Sequence, residues 1–114
     1  MEIRGVDFVA YSVEDLEHAI RFYRENLGLP EPFRVEGVYA EFDVGGTAFG
    51  LYRGEERQPS GTIAFNVPRI ADAVAELQSR GLEPTWEEET PVCRMAGFVD
   101  SEGNPFMLHE TPKV

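Results

Sequence analysis

From Gly5 to Val13 the side chains alternate, with Val6, Phe8 and Ala10 on one side and Asp7, Val9 and Tyr11 on the other, which is the period of a β-strand. The period then lengthens. Leu16, Ala19, Ile20, Tyr23 and Leu27 recur at helical spacing, Ser12 to Asp15 supplies N-cap candidates, and Gly28 stands where a left-handed cap ends a helix, so a helix is predicted over about Glu14 to Leu27. Pro30 and Pro32 interrupt the chain before Val38, Ala40, Phe42 and Val44 alternate with Tyr39, Glu41 and Asp43; Gly45-Gly46 makes a turn, and Thr47 to Arg53 is the next strand. Gly54 to Gly61 has the composition of a loop and is the predicted midpoint linker. The same order then restarts. Thr62 to Val67 reads as a strand, Ile70, Ala73, Val74 and Leu77 as a helix ending at Gly81, and Val92 to Val99 with Pro105 to Glu110 as a closing hairpin around Asp100-Ser101-Glu102-Gly103-Asn104.

The halves superpose. Val13 falls on Val67, Ala19 on Ala73 and Ile20 on Val74 at one shift; Ala40 and Phe42 match Ala96 and Phe98, and Phe49 and Leu51 match Phe106 and Leu108, at slightly larger shifts. A half-length repeat in so short a chain implies two copies of one supersecondary unit, neither able to cover its own apolar face. The expected fold is α+β, built of two βαβββ modules at about 1–56 and 60–114 within one domain spanning 1–114.

Alternation sorts the strand residues onto two faces. Val9, Tyr11, Phe49, Leu51, Ile63, Phe65, Val67, Phe106 and Leu108 form an apolar face that matches the helix stripes. The other face collects Phe8, Ala10, Ser12, Tyr39, Glu41, Ala48, Gly50, Tyr52, Thr62, Ala64, Asn66, Met95, Met107 and His109. Such a face either lines a pocket, is covered by another subunit or is exposed to water; the small residues leave room and Tyr39, Tyr52 and Met107 can pack on an organic ligand, which favours the pocket.

Charge narrows the partners. Twenty-one acidic against ten basic residues give a formal charge of −11, which repels nucleic acid and anionic lipid and either attracts cationic ligands or serves only to keep the protein soluble. The single cysteine, Cys93, excludes an internal disulfide and reads as a small buried hydrophobe on a strand. No run of eighteen apolar residues and no apolar stretch behind a basic start is present, so neither a membrane span nor export is expected, and a reducing cytoplasm is the simplest compartment.

The stretch Val13 to Tyr23, the Leu27-Gly28-Leu29 helix end and the Asp100-to-Asn104 turn, in this order on a duplicated pattern, resemble the vicinal oxygen chelate superfamily of glyoxalases, extradiol dioxygenases and bleomycin-resistance proteins. The resemblance implies a mixed sheet curved into a cup, commonly completed in a homodimer. It also implies four ligand positions for a divalent ion in metal-dependent members, and these carry over onto Phe8, Thr62, Gly50 and Met107. None of the four suits a hard cation, so no metal and no cofactor is expected.

The resulting expectation is metal-independent binding or sequestration of a small amphipathic organic molecule, with cations favoured by the acidic rim. Phe8, Tyr39, Glu41, Gly50, Tyr52, Thr62, Trp86, Met95, Met107 and His109 would line the site. The alternative is an isomerase, lyase or dioxygenase of the same fold, using an unrecognised metal or acid–base work by His109 with Glu41 or Glu110. A third reading makes the cup face an interface of a structural subunit. Trp86, ahead of Glu87-Glu88-Glu89, either binds a cation or plugs the rim, and His18 is expected to face solvent.

Overall fold

A computed structural model describes residues 1–54 and 61–111 of the chain. The elements run β1 (Gly5–Val13), α1 (Leu16–Leu27), β2 (Phe33–Val35), β3 (Tyr39–Val44), β4 (Thr47–Arg53), β5 (Thr62–Asn66), α2 (Ile70–Ser79), β6 (Trp86–Glu89), β7 (Arg94–Val99) and β8 (Pro105–Glu110). This is βαβββ twice, an α+β fold. The chain forms two compact units: the first is Phe8–Gly61, and the second combines Met1–Asp7 with Thr62–Val114. Strand β1 runs through the division, and the interior of the predicted linker Gly54 to Gly61 lies outside the described residues.

In the first unit β2, β3 and β4 are antiparallel neighbours and β1 lies parallel to β4. In the second, β6, β7 and β8 are antiparallel and β5 lies parallel to β8, so each unit is mixed in the same way. The repeat is legible in what each unit buries. Leu16 and Ile20 of α1 pack on Ala40, Phe42 and Leu51; Ile70, Ala73, Val74 and Leu77 of α2 pack on Ala96, Phe98 and Leu108. Phe42 stacks on Phe49 with centroids 6.0 Å apart and planes at 21°, and Phe98 stacks on Phe106 at 5.7 Å and 17°. Each pair is also a cross-strand register pair, so one aromatic contact fastens a hairpin and presents its helix-facing surface at once.

The helices start for different reasons. Asp15 caps α1 by accepting the His18 N–H at 3.0 Å, which places the first helical residue at Leu16, two positions later than the pattern alone implies. Gly28, at φ 72°, closes it in the left-handed region. Helix α2 has no such local cap. Arg69 offers no side-chain acceptor, and the N–H of Ile70 is instead taken at 2.6 Å by Oε1 of Glu110, from the far end of β8.

Two short edge strands were not legible as separate elements. Strand β2 has only three residues, too few to show alternation. Strand β6 is Trp86-Glu87-Glu88-Glu89, a poor strand composition that suits an edge because charges there block further pairing. The start of β7 also differs from the expected Val92. Thr90 Oγ1 accepts the N–H groups of Val92 (3.2 Å) and Cys93 (3.1 Å), so both lie in a turn, and Cys93 is half-buried before the strand and not packed within it. Among the described residues no helix is long and apolar enough to cross a membrane.

The closing turn is built as its residues imply. Asp100 Oδ1 accepts the N–H groups of Glu102 and Asn104, each at 2.8 Å, and Oδ2 accepts the Asn104 side-chain amide at 3.0 Å. The Asn104 side chain first, then the two backbone donors, hold the Asp100 carboxyl below its ordinary range. A depressed folded value contributes stability above the unfolded value and loses it as pH falls through the folded one. Asp100→Ala is therefore expected to lower Tm at neutral pH, with the gap to the parent narrowing below pH about 4; thermal melts across that range check it, and a gap that persists in acid refutes it. Glu110→Ala removes the cap of α2 and is expected to cost about 1–2 kcal/mol in urea unfolding, with Glu110→Gln, which keeps an acceptor, costing less.

Candidate functional site

Strand register lays out the polar-containing face of each unit row by row. In the second unit one row runs Ala64, Met107, Gly97, Trp86, and the next runs Asn66, His109, Met95, Glu88. Ala64, Met107 and His109 are buried, whereas Trp86 is exposed to 40% at the edge strand. A Cβ built on Gly97 would overlap the Trp86 indole, which shows that the ring lies flat against the glycine backbone. Trp86 is thus a shelf at the edge of this face.

The chemistry of the face centres on His109. Its Nδ1 lies 2.6 Å from Oδ2 of Asp7. The same Asp7 oxygen accepts the Asn66 amide N–H at 2.8 Å, and Asn66 Oδ1 accepts from Arg4 Nε at 3.1 Å. Arginine can only donate, so Asn66 must present its oxygen to Arg4 and its NH₂ to Asp7. An ionised carboxylate only accepts, so with Asp7 ionised the bond between them puts a His109 proton on Nδ1. Backbone bonds hold the partners in place: Arg4 N–H donates to Asn66 O and Val67 N–H to His109 O, each at 3.0 Å. The outcome is a part-buried Asp–His pair oriented by Asn66 and Arg4.

The first unit gathers the remaining residues that the sequence singles out. Glu41 stands opposite Gly50, which is opposite Ala10; Tyr39 stands opposite Tyr52, which is opposite Ser12; Phe8 pairs with Ala48. Phe33, exposed on β2, is opposite Glu41 and meets Tyr39 edge-on at 6.1 Å. Phe8, Tyr39, Glu41, Gly50 and Tyr52 therefore share one face of this unit, and Thr62, Trp86, Met95, Met107 and His109 share one face of the other.

The acid–base partners proposed for His109 from sequence were Glu41 and Glu110. Glu110 is engaged as the cap of α2, and Glu41 belongs to the first unit. The carboxylate that bonds His109 is Asp7, which alternation along β1 had grouped with Val9 and Tyr11 on the opposite face. Nothing local marks Asp7, since the pair is separated by 102 positions. Asn66 was placed on the correct face but carried no role.

The donor set does not fit a divalent ion at the four positions the family resemblance implies. Phe8 and Gly50 have no side-chain donor, Thr62 is a weak one, and the Met107 thioether is soft. Among the described residues, no three His, Cys, Asp or Glu side chains converge.

Residues 5–108 match the family model described as the glyoxalase/bleomycin resistance protein/dioxygenase superfamily. Nothing among curated protein sequences matches the chain. Among solved structures it is similar to methylmalonyl-CoA epimerase from Mycobacterium tuberculosis, with TM-score 0.73 and 18% identity over 97% of this chain and 90% of that one. A Streptomyces coelicolor methylmalonyl-CoA epimerase variant in complex with 2-nitronate-propionyl-CoA gives TM-score 0.76 and 20% identity over 99% and 98%. A superfamily member from Vibrio splendidus gives 0.72 and 11% over 96% and 99%. At these identities the likeness is one of fold.

Trp86 is the one tryptophan in the chain, so its emission reports the shelf directly. Gly97→Ala is expected to lift the indole, shift its emission and cost about 1–3 kcal/mol by overpacking. An unchanged emission spectrum in a folded variant would show that the ring does not rest on Gly97.

Proposed function

The chain belongs to the glyoxalase/bleomycin resistance protein/dioxygenase superfamily, and on that footing we propose that it is a proton-transfer enzyme, an isomerase or lyase acting on a small carbonyl compound, with His109 as acid–base residue and Asp7 as its positioning residue. The observation that carries this reading is the 2.6 Å contact between Asp7 Oδ2 and His109 Nδ1. Nε2 would take the proton from a carbon next to the carbonyl, the C–H electron pair moving onto the carbonyl oxygen to give an enolate. Return of the proton to the opposite face of that carbon, after the planar enolate turns over in the site, gives the epimer; with an α-hydroxy ketone, passage of the hydroxyl proton to the enolate oxygen and return of the proton to the former carbonyl carbon gives the isomer. Asp7 places negative charge where the ring becomes positive, and Asn66 and Arg4 keep that carboxylate from rotating away. With no suitable donors at the four family positions, no step is assigned to a divalent ion.

The similar solved structures that are methylmalonyl-CoA epimerases support proton transfer next to a carbonyl as chemistry this fold accommodates. Coenzyme A carries phosphates, however, and this chain has a formal charge of −11. The field of so acidic a protein disfavours a polyanionic carrier. A neutral or cationic carbonyl compound is the better match.

A second reading, binding without turnover, is favoured by the Trp86 shelf. Trp86 stands two strands, about 10 Å, from β8, a span suited to a small organic molecule, with Met95 between Glu88 and His109 in the adjacent row.

Solvent deuterium uptake followed by proton NMR separates the two. Incubation with α-hydroxy ketones, neutral α-substituted thioesters and methylmalonyl-CoA is expected to exchange the α-proton of a phosphate-free compound. His109→Asn should reduce the exchange by about 10²–10⁴-fold, and Asp7→Asn should reduce it while leaving the fold intact. Exchange that survives His109→Asn removes the proton-transfer reading. Saturable binding to the panel without exchange selects the second reading.

A further inference from the structure

A groove lies on the helix side of the first unit, away from the face that carries Tyr39 and Glu41. It encloses ≈410 Å³, within the range of small-molecule sites, about 300–1,000 Å³. One wall is a helix stripe. Asp15, His18, Ala19 and Phe22 follow the i, i+3, i+4, i+7 spacing, so they share one line along α1, and Ala19 is common to it and to the core stripe of Leu16, Ile20 and Tyr23. The other wall is the exit of β1, from Tyr11 to Glu14.

The lining is apolar at its centre and acidic at one end. Tyr11 and Phe22 are exposed to 44% and 49%, large for aromatic side chains, and Ala19 between them in the helix stripe keeps the floor low. Both rings are held in place. Tyr11 meets Phe49 edge-on at 5.6 Å, and Phe22 meets Tyr23 edge-on at 5.4 Å, so the walls do not depend on a ligand for their position. Among the described residues no lysine or arginine lines the groove, whereas Glu14 and Asp15 do. The amide that a helix start would offer an anion is already engaged, because Asp15 accepts the His18 N–H. Aromatic walls, an acidic end and the formal charge of −11 complement one kind of ligand.

We propose that this groove is a second binding site, for an amphipathic organic cation whose apolar body lies between Tyr11 and Phe22 and whose ammonium group faces Glu14. The site is separate from the Asp7–His109 pair and does not rest on the proton-transfer reading. A ligand of this size in an open groove is expected to bind with Kd of about 1–10 mM.

The test uses three isosteric probes, 2-phenylethylammonium, 2-phenylethanol and phenylacetate, titrated into the ¹⁵N-labelled full chain. The ammonium is expected to shift amides within residues 11–22, with at least about fivefold weaker binding for the alcohol and none for the carboxylate. Phe22→Ala, at an exposed position, should weaken the ammonium probe about fivefold or more. Glu14→Gln should erase its advantage over the alcohol, and His109→Asn should leave the shifts unchanged. Deuterium exchange at the other site should be unaffected by Phe22→Ala. Equal binding of all three probes, no shifts at about 10 mM, or shifts centred on His109 would overturn the proposal.

Discussion

The stacked phenylalanine pair in each unit is the contact on which the remaining structure depends. Phe42 on Phe49 and Phe98 on Phe106 join neighbouring antiparallel strands in register, and the buried members, Phe42 and Phe98, form the surface that receives the helix. Burying a side chain of this size contributes about 1.5–3 kcal/mol, and ring stacking adds about 0.5–1.5 kcal/mol. A strand slip by one residue would turn both rings outward and expose the helix stripe, so this pair sets register as well as stability. Ala40 and Ala96, both fully buried beside it, let the helix approach closely.

Once the aromatic face is committed to the helices, the polar residues of the strands must occupy the other face, where they are either bonded to each other or exposed. Carboxylates show how differently the same group can be used. Asp100 organises a turn, Asp15 and Glu110 cap helices, and Asp7 orients an imidazole. Arg34 joins Glu17 of α1 (2.9 Å) to Glu31 (2.7 Å), a surface arrangement worth little individually but one that places β2 beside its unit's helix. Asp7, with Asn66 and Arg4, differs from these in serving a single ionisable side chain.

The acidic excess acts at longer range. It weighs against phosphate-bearing ligands and favours cations or neutral compounds, a preference to which the whole surface contributes.

What the sequence determined by itself was everything written in a local period. The extents of β1, β4 and β8, the repeat, the helix stripes and the Asp100 turn are all legible because alternation, helical spacing and turn chemistry involve neighbours within a few residues. Even the equivalent buried positions of the two units, Ala40 and Ala96, Leu51 and Leu108, follow from the repeat. The tertiary structure decided what passes between distant segments. Glu110 caps a helix 40 positions away, Trp86 settles on Gly97 across a strand pair, and Asp7 reaches His109 against the parity of its own strand. Such contacts join single side chains across the fold and leave no periodic trace, so the faces could be read in advance while the Asp7–His109 contact on one of them could not.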